Sequence, residues 1–423
     1  MRVLLISHGL PPESVGGVEQ HVVGLSRALA GLGCAVRILA RTSAKDRRQG
    51  DWFEEEGGNP SRTRIAYRWE GLQGIGDLYS VRAIDEGFGN FLADCEERGE
   101  PFDVAHIHHL TGLSVGVAET LRARGTKVAL TLHDYWLACP RGQMFHRDET
   151  ACERFEPARC GECLAGTFPW WFRGADAAAL ARGIHERAAA LLCAVDALIV
   201  PSERMIAPFA DLGIPRERFR PIENGVDAEA LRLVRGPSAG PGKLRIGFLG
   251  TLLPSKGLEV LVRAVRRQQP GTVELHVHGN AAPYHGDSGY LTRVFQSLAP
   301  GDAVHYHGPY APADLPRILS GIDVLAAPAL WREAFGLTVR EGLAAGRPAL
   351  VSRIGGLQDS VRDGVDGLLL PPGDEDAWAR AIADLAGDRE RVRRMGAAGR
   401  GRARGFPEMA SDLLEIYRGL CGA

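Results

Sequence analysis

The sequence predicts an α/β protein built from two doubly wound, Rossmann-like domains. Three observations point there. Short apolar runs alternate with helix-periodic segments, the alternation restarts after residue 200, and a glycine-rich turn follows the first strand of each half. Alternating strands and helices imply right-handed βαβ units and mostly parallel sheets. Two such domains place ligands in the cleft between the carboxyl ends of their sheets.

In the first half, "RVLLIS" reads as a buried strand, followed by a Gly/Pro loop and the helix "GVEQHVVGLSRALAGLG". Val18, Val22, Leu25 and Leu29 keep helical spacing there, and Gly31 and Gly33 mark the stop. "AVRILA", "VAHIHHL", "KVALTLHD" and "ALIVPS" continue the strands. In the second half "LRIGFLG", "VELHVHG", "AVHYHGP", "DVLAAPA", "RPALVS" and "GLLLPPG" are strands, with helices such as "LEVLVRAVRR" between them. The loop-rich stretch from "IENGVD" to "RGPSAGPGK" suits an interdomain connection. "RERVRRMGAAGRGRARG" reads as a solvated helix and turn, and "FPEMASDLLEIYRGLCGA" as a final amphipathic helix. The expected domains are residues 1–203, with a cysteine-containing insertion at about 139–175, then 204–400, then the helix of 401–423.

At 423 residues, each domain can bury its own core. Apolar content of 45% and charged content of 24% are those of an ordinary globular protein. A net charge of −2 argues against nucleic acid as a partner. "MRVLLIS" does not continue as a signal peptide, and no apolar run reaches the ~18 residues of a membrane span. A cytoplasmic protein is expected. Lysine occurs only at 45, 127, 243 and 256, which singles out Lys256 in a loop.

Three stretches carry chemistry. In "REAFGLTVREGLAAGRP", Glu333 and Glu341 could suggest an acid/base dyad. Were the stretch all helix, eight steps would leave them ~12 Å apart along the axis. A glycosidase pair sits roughly 5–9.5 Å apart. The pattern reads instead as a loop at Glu333 entering a short buried helix that carries Glu341, two grips on one long ligand. Gly336, Leu337 and Thr338 would present backbone N–H groups at that helix start, where the dipole favours phosphate. "LGTLLPSKGLEVL" sets Lys256 between Gly250 and Gly257 just before a helix, where a cation can neutralise a diphosphate. "HGLPPESVGGVEQ" places Gly16 and Gly17 at the first helix, as a second phosphate approach or simply a tight turn; the G-x-G-x-x-G fingerprint of dinucleotide enzymes is absent.

Together "GGVEQ", "TLHDYW", "ENGVD", "LGTLLPSKG", "EAFGLTVREGLAAGRPALVS" and "GGLQDSVRDGVDGLLLPPGD" resemble the family 4 retaining glycosyltransferases of GT-B fold, in order and over nearly the whole chain. The glutamates match the E-x7-E element of that family. The resemblance implies a nucleotide-diphosphate sugar donor held by the second domain and a hydroxyl acceptor (glycan, lipid-linked or small-molecule) held by the first. It implies contacts of Glu333 with the donor sugar and of Glu341 with the ribose. Lys256 and the amides of 336–338 hold the diphosphate, Gly17 approaches from the opposite domain, and His133 lies near the sugar. The last helix is implied to cross back to the first domain, and polysaccharide or glycoconjugate assembly is the implied setting. The sequence departs from the pattern at Thr251, where an arginine is usual; Arg204 and Arg332 are candidate substitutes. Gln358–Asp359 replaces a usual Pro–Glu pair.

Cys139, Cys152, Cys160 and Cys163 end in a C-x-x-C knuckle and could form a closed structural zinc site, stay as free thiols, or hold a cluster or disulfide. No catalytic metal is expected: Asp374 and Asp376 in "GDEDAW" read as a helix cap rather than a D-x-D metal motif. His106, His108 and His109 are candidate cleft wall, and His276, His278, His305 and His307 candidate structural pairs. "TFPWWFRG" is either packing or a peripheral contact with the inner face of a membrane. Competing functions are a sugar-nucleotide epimerase or phosphorylase, and a binder without catalysis.

Overall fold

The apolar runs become strands of two sheets in the computed structural model, which describes residues 1–237, 242–281, 283, 284 and 287–422. The chain divides into two units: Met1–Gly142, Glu153–Gly225 and Phe406–Ala423 form one, Gln143–Cys152 and Val226–Gly405 the other.

The first unit runs β1 (Arg2–Ser7), α1 (Gly17–Gly31), β2 (Ala35–Thr42), β3 (Trp52–Glu55), β4 (Ser61–Ala66), α2 (Arg82–Glu97), β5 (Val104–Ile107), α3 (Val117–Ala123) and β6 (Lys127–Thr131). It continues with α4 (Pro157–Thr167), α5 (Ala177–Ala194), β7 (Ala197–Val200), α6 (Ile206–Ala210) and β8 (Phe219–Pro221). The sheet order is β3-β4-β2-β1-β5-β6-β7-β8, parallel except for β3 against β4. The chain turns to opposite sides of β1 to add β2 and β5, so the switch point of the sheet lies at the carboxyl ends of β1 and β5.

The second unit runs α7 (Ala228–Arg232), β9 (Leu244–Leu249), α8 (Leu258–Arg266), β10 (Val273–His278), α9 (Tyr290–Gln296), β11 (Val304–Tyr306), α10 (Leu315–Ser320) and β12 (Val324–Ala327). Then come α11 (Leu337–Ala344), β13 (Ala349–Ser352), β14 (Gly367–Leu370), α12 (Glu375–Gly387) and α13 (Arg389–Gly399). Its sheet, β11-β10-β9-β12-β13-β14, is parallel throughout, with the switch point between β9 and β12. Leu258, Leu261, Val262 and Val265 give α8 its buried stripe over the sheet. Asp374 caps α12 by accepting from the Ala377 N–H at 2.9 Å, the capping role expected for it. The chain then returns to the first unit as α14 (Phe406–Cys421), which packs on α1. A Cβ on Gly24 would lie 2.2 Å from the Phe406 ring, so glycine permits that close packing.

Three expectations need correction. The units part at Gly225/Val226, not at 203/204, because β8 pairs with β7 and belongs to the first sheet. Part of the expected acceptor-side insertion, Gln143–Cys152, belongs to the second unit. It forms a hairpin-like turn in which Cys152 N–H donates to Met144 O at 2.7 Å, and Gln143 Oε1 accepts from Tyr284 at 2.8 Å. The supposedly solvated α13 buries Val392 and Met395 in the second core. The loop after "IENGVD" falls partly on residues 238–241, outside the described residues.

Beneath α13 lies a buried charge. Asp323 is fully buried; it accepts from the Arg245 backbone N–H at 3.0 Å and from its guanidinium at 2.9 Å, and pairs with Arg389 at 2.9 Å. Burial opposes its ionisation, but the hydrogen bonds from Arg245 and the charge of Arg389 outweigh it and hold the carboxyl below the usual range. Asp323→Ala leaves two arginines facing a void and is expected to destabilise the second unit by about 3–5 kcal/mol. Urea unfolding followed by tryptophan fluorescence measures this; a loss under ~1 kcal/mol would contradict it.

Candidate functional site

The loop after β12 carries Glu333 and the helix after it carries Glu341, the loop-then-helix arrangement expected. Gly336 makes the transition with φ of 77°, left-handed backbone that glycine adopts without strain. The first intrahelical N–H donors are Val339 and Arg340, both onto Gly336 O. The Leu337 and Thr338 amides therefore lie ahead of the helical ladder at its positive end.

After β9, the tight turn Pro254–Lys256 ends at Gly257, also left-handed with φ of 71°. A Cβ at Gly257 would sit 2.0 Å from Pro328 O, which packs this turn against the strand end leading to Glu333. That contact brings Lys256 Nζ to 2.6 Å from Glu333 Oε2. Trp331 Nε1 donates to the same oxygen at 3.1 Å, and the Lys256 ammonium stands 5.1 Å from the Trp331 ring centroid. One carboxylate oxygen thus has an ammonium and an indole N–H as donors.

Gly355 and Gly356 press on this loop from the other side. The Gly356 N–H donates to Glu333 O at 2.6 Å, and a Cβ at Gly356 would sit 2.1 Å from Ala334 O. The Gln358–Asp359 departure lies just beyond this brace, in the same turn. Arg340, nearly buried, donates to Phe335 O and lays its guanidinium 3.5 Å from the Phe335 ring centroid. Neither Arg340 nor the glycine pair stood out in the sequence as part of the site; the doubled glycine was the visible signal. Glu341, one helical step past Arg340, is only partly exposed. Burial, helped by Asp227 nearby, raises its carboxyl from 4.5 to about 8.

Arg332, a candidate for the arginine missing at Thr251, donates from Nε to Cys152 O at 3.0 Å and so anchors the Gln143–Cys152 segment. Arg204 lies in the first unit, its backbone N–H donating to Ser202 Oγ.

In the first unit, six histidines cluster at the carboxyl ends of β1, β5 and β6: His8, His106, His108, His109, His133 and, from α1, His21. His108 Nδ1 and His133 Nε2 are 3.0 Å apart. Burial is the chief cause that pushes His133 and His106 down to about 3, and holds His8, His21 and His108 well below the ordinary histidine range. These five imidazoles are neutral at physiological pH. His106, His108 and His109 were expected only as cleft wall, and His21 was read as part of a helix. Gly17 opens α1 and is exposed. The buried Glu19 curls back to this turn, accepting from Ser14 and lying 3.3 Å from His8, which competes with any second anion there.

Of the cysteines, Cys160 and Cys163 lie on α4, Cys139 follows β6, and Cys152 belongs to the second unit. Cys163 accepts from Arg141 at 3.1 Å. Trp170 is 57% exposed beside Trp171 and Phe168. His276 meets His305 in register on β10 and β11, and bonds His307 at 3.0 Å. Among the described residues, no helix is long and apolar enough to cross a membrane.

Comparison with known proteins gives the family and the fold. Residues 15–230 match the family described as Glycosyltransferase Family 4, and residues 235–402 that described as Glycosyl transferases group 1. A D-inositol 3-phosphate glycosyltransferase of Stackebrandtia nassauensis is 29% identical over 98% of this chain and 91% of its own. That of Nocardia farcinica is 32% identical over 52% of this chain and 53% of its own, so this stronger match spans about half of each. In fold, the chain is similar to sucrose-phosphate synthase from Thermosynechococcus elongatus (TM-score 0.70, 23% identity, 100% and 99% of the two chains). It is also similar to HepE of Anabaena in complex with UDP-glucose (TM-score 0.67, 16% identity, 99% and 100%). These structural likenesses show a GT-B fold.

The raised Glu341 carboxyl has a pH consequence. The folded protein holds this proton more tightly than the unfolded chain, so the stabilisation is full below 4.5 and is lost as pH rises towards about 8. The slope is at most ~1.4 kcal/mol per pH unit. Glu341→Gln, which keeps the shape of the neutral acid, is expected to flatten the decline in melting temperature across that window. An unchanged pH profile would count against a neutral Glu341.

Proposed function

The chain belongs to glycosyltransferase family 4, and from that premise we propose that it transfers a sugar from a nucleotide diphosphate to a hydroxyl acceptor with retention of configuration. The observation that carries the reading is the Lys256–Glu333 pair beside the Gly336 helix start. A cation pairs with a carboxylate three residues before a helix start that has two amides ahead of its ladder, a set suited to a diphosphate and its sugar. On donor binding, Lys256 exchanges Glu333 for diphosphate oxygens, the Leu337 and Thr338 amides meet the same anion, and Glu333 turns to sugar hydroxyls. Glu341 accepts from or donates to the ribose diol, since its neutral acid offers both.

Glu333 is a positioning carboxylate here, because its charge is met by Lys256 before the donor binds and by sugar hydroxyls afterwards. Retention then proceeds on one face of the sugar. The acceptor oxygen bonds to the anomeric carbon as the bond to the diphosphate oxygen breaks, and the leaving phosphate takes the acceptor proton. The protein supplies orientation and stabilises the charge of the leaving group. A sugar-nucleotide epimerase or phosphorylase is not favoured by these matches. The setting in glycoconjugate assembly remains part of this proposal.

Two substitutions test the assignment. Glu333→Ala is expected to cut turnover strongly while nucleotide-diphosphate affinity stays level or tightens, because Lys256 loses a competitor; weakened nucleotide binding by calorimetry would sink it. Lys256→Ala is expected to weaken that affinity by about 1.5–3 kcal/mol, the scale of a charged hydrogen bond. Assays pairing UDP-, GDP- and ADP-sugars with D-inositol 3-phosphate and with other hydroxyl acceptors identify the substrates, and the anomeric configuration of the product decides retention.

A further inference from the structure

Five of the six clustered imidazoles have a polar partner, and they divide sharply. His106 spends both nitrogens, Nδ1 on the Tyr417 hydroxyl at 2.5 Å and Nε2 on Thr131 Oγ1 at 2.7 Å. His109 spends Nε2 on Asp134 and accepts at Nδ1 from the Thr111 N–H. His8 faces Glu19 through Nε2. His21 has no partner at either nitrogen although it is 2% exposed, and His108 has none at Nε2 although it is 1% exposed.

Three of these rings converge. One ring nitrogen each of His21, His108 and His133 lie within 4.8 Å of one another. The ring centroids are 4.6 Å (His21–His133), 5.2 Å (His21–His108) and 5.3 Å (His108–His133) apart. With metal–nitrogen bonds of about 2.0–2.1 Å and tetrahedral angles, imidazoles sharing one ion have centroids roughly 5 Å apart and nitrogens roughly 3.3 Å apart. The 3.0 Å contact of His108 Nδ1 with His133 Nε2 is close to that edge. The three rings come from rigid places: α1, the end of β5 and the end of β6.

We propose that His21, His108 and His133 form a three-nitrogen site for one divalent transition ion of the zinc class. The ligand set selects the ion. Three imidazoles without thiolate or carboxylate suit zinc, cobalt or nickel, and are a poor match for magnesium or calcium. The partly exposed edge of His133 gives an ion access and leaves a fourth position to water. Asp134, next in sequence, supplies nearby negative charge. Nothing in this inference depends on His133 acting on a sugar, and its test reads metal rather than turnover.

The untagged full-length chain is stripped with a chelator, loaded with Co²⁺ and dialysed. One retained equivalent is expected, with the visible bands of low-coordinate cobalt and no thiolate charge-transfer band. The Cys160→Ser/Cys163→Ser and His305→Asn/His307→Asn variants are expected to keep it, which separates this site from the cysteine cluster and the exposed histidine strip. His21→Gln and His108→Gln are expected to lose it. X-ray absorption of the zinc-loaded wild type needs no variant and is expected to show imidazole scattering without a Zn–S distance near ~2.3 Å. No retained metal, sulfur ligation, or retention by a folded His21→Gln protein would overturn the proposal.

Discussion

The donor-side geometry depends on backbone meeting backbone closer than any side chain allows. Pro328 O, Glu333 O and Ala334 O occupy the places where β-carbons of Gly257, Gly355 and Gly356 would lie, at 2.0, 2.6 and 2.1 Å. Three glycines therefore fix two loops, one after β9 and one after β12, against each other and against the turn after β13. Only with both loops fixed can Lys256 and Glu333 meet at 2.6 Å. Gly336 adds the left-handed step that starts α11 beside them. Polar chemistry here rests on the absence of side chains.

That dependence explains which parts were legible in the sequence. Buried parallel strands read as apolar runs because both faces are covered, so every such strand of the second sheet was visible. The edge strand β3 and its neighbour β4, "WFEE" and "SRTRIA", carry charged residues and give no such run. β8 is three residues long and escaped for the same reason, which moved the unit boundary. The Gln143–Cys152 segment could not be placed by pattern, since its allegiance is decided by long-range bonds from Tyr284 and Arg332. The arginine-rich α13 misled because its few apolar residues, Val392 and Met395, carry its burial while Arg389 turns inward to Asp323.

Histidines show the same limit more sharply. Composition cannot tell a histidine strip on an exposed edge, as on β10 and β11, from a buried cluster at strand ends. Sequence separation even favours the wrong emphasis: His276 and His278 look paired, whereas His21, His108 and His133 are scattered along the chain. Parallel topology gathers the latter, because β5 and β6 are neighbours and α1 follows β1 across the switch point. The chemistry at a sheet's carboxyl edge is thus set by strand order, which no local window contains.

The two glutamates of the E-x7-E element show how little spacing says about role. Glu333 sits in a loop, paired with an ammonium and an indole N–H, so its charge is met before any ligand arrives. Glu341 sits on the helix, with burial and Asp227 against its charge and no cation beside it to answer them. A carboxylate held by lysine is suited to a partner exchange with a diphosphate sugar. A carboxyl kept neutral can both donate and accept, which suits a vicinal diol. Environment, far more than the interval of eight positions, divides the work: one glutamate trades charge and the other trades hydrogen bonds.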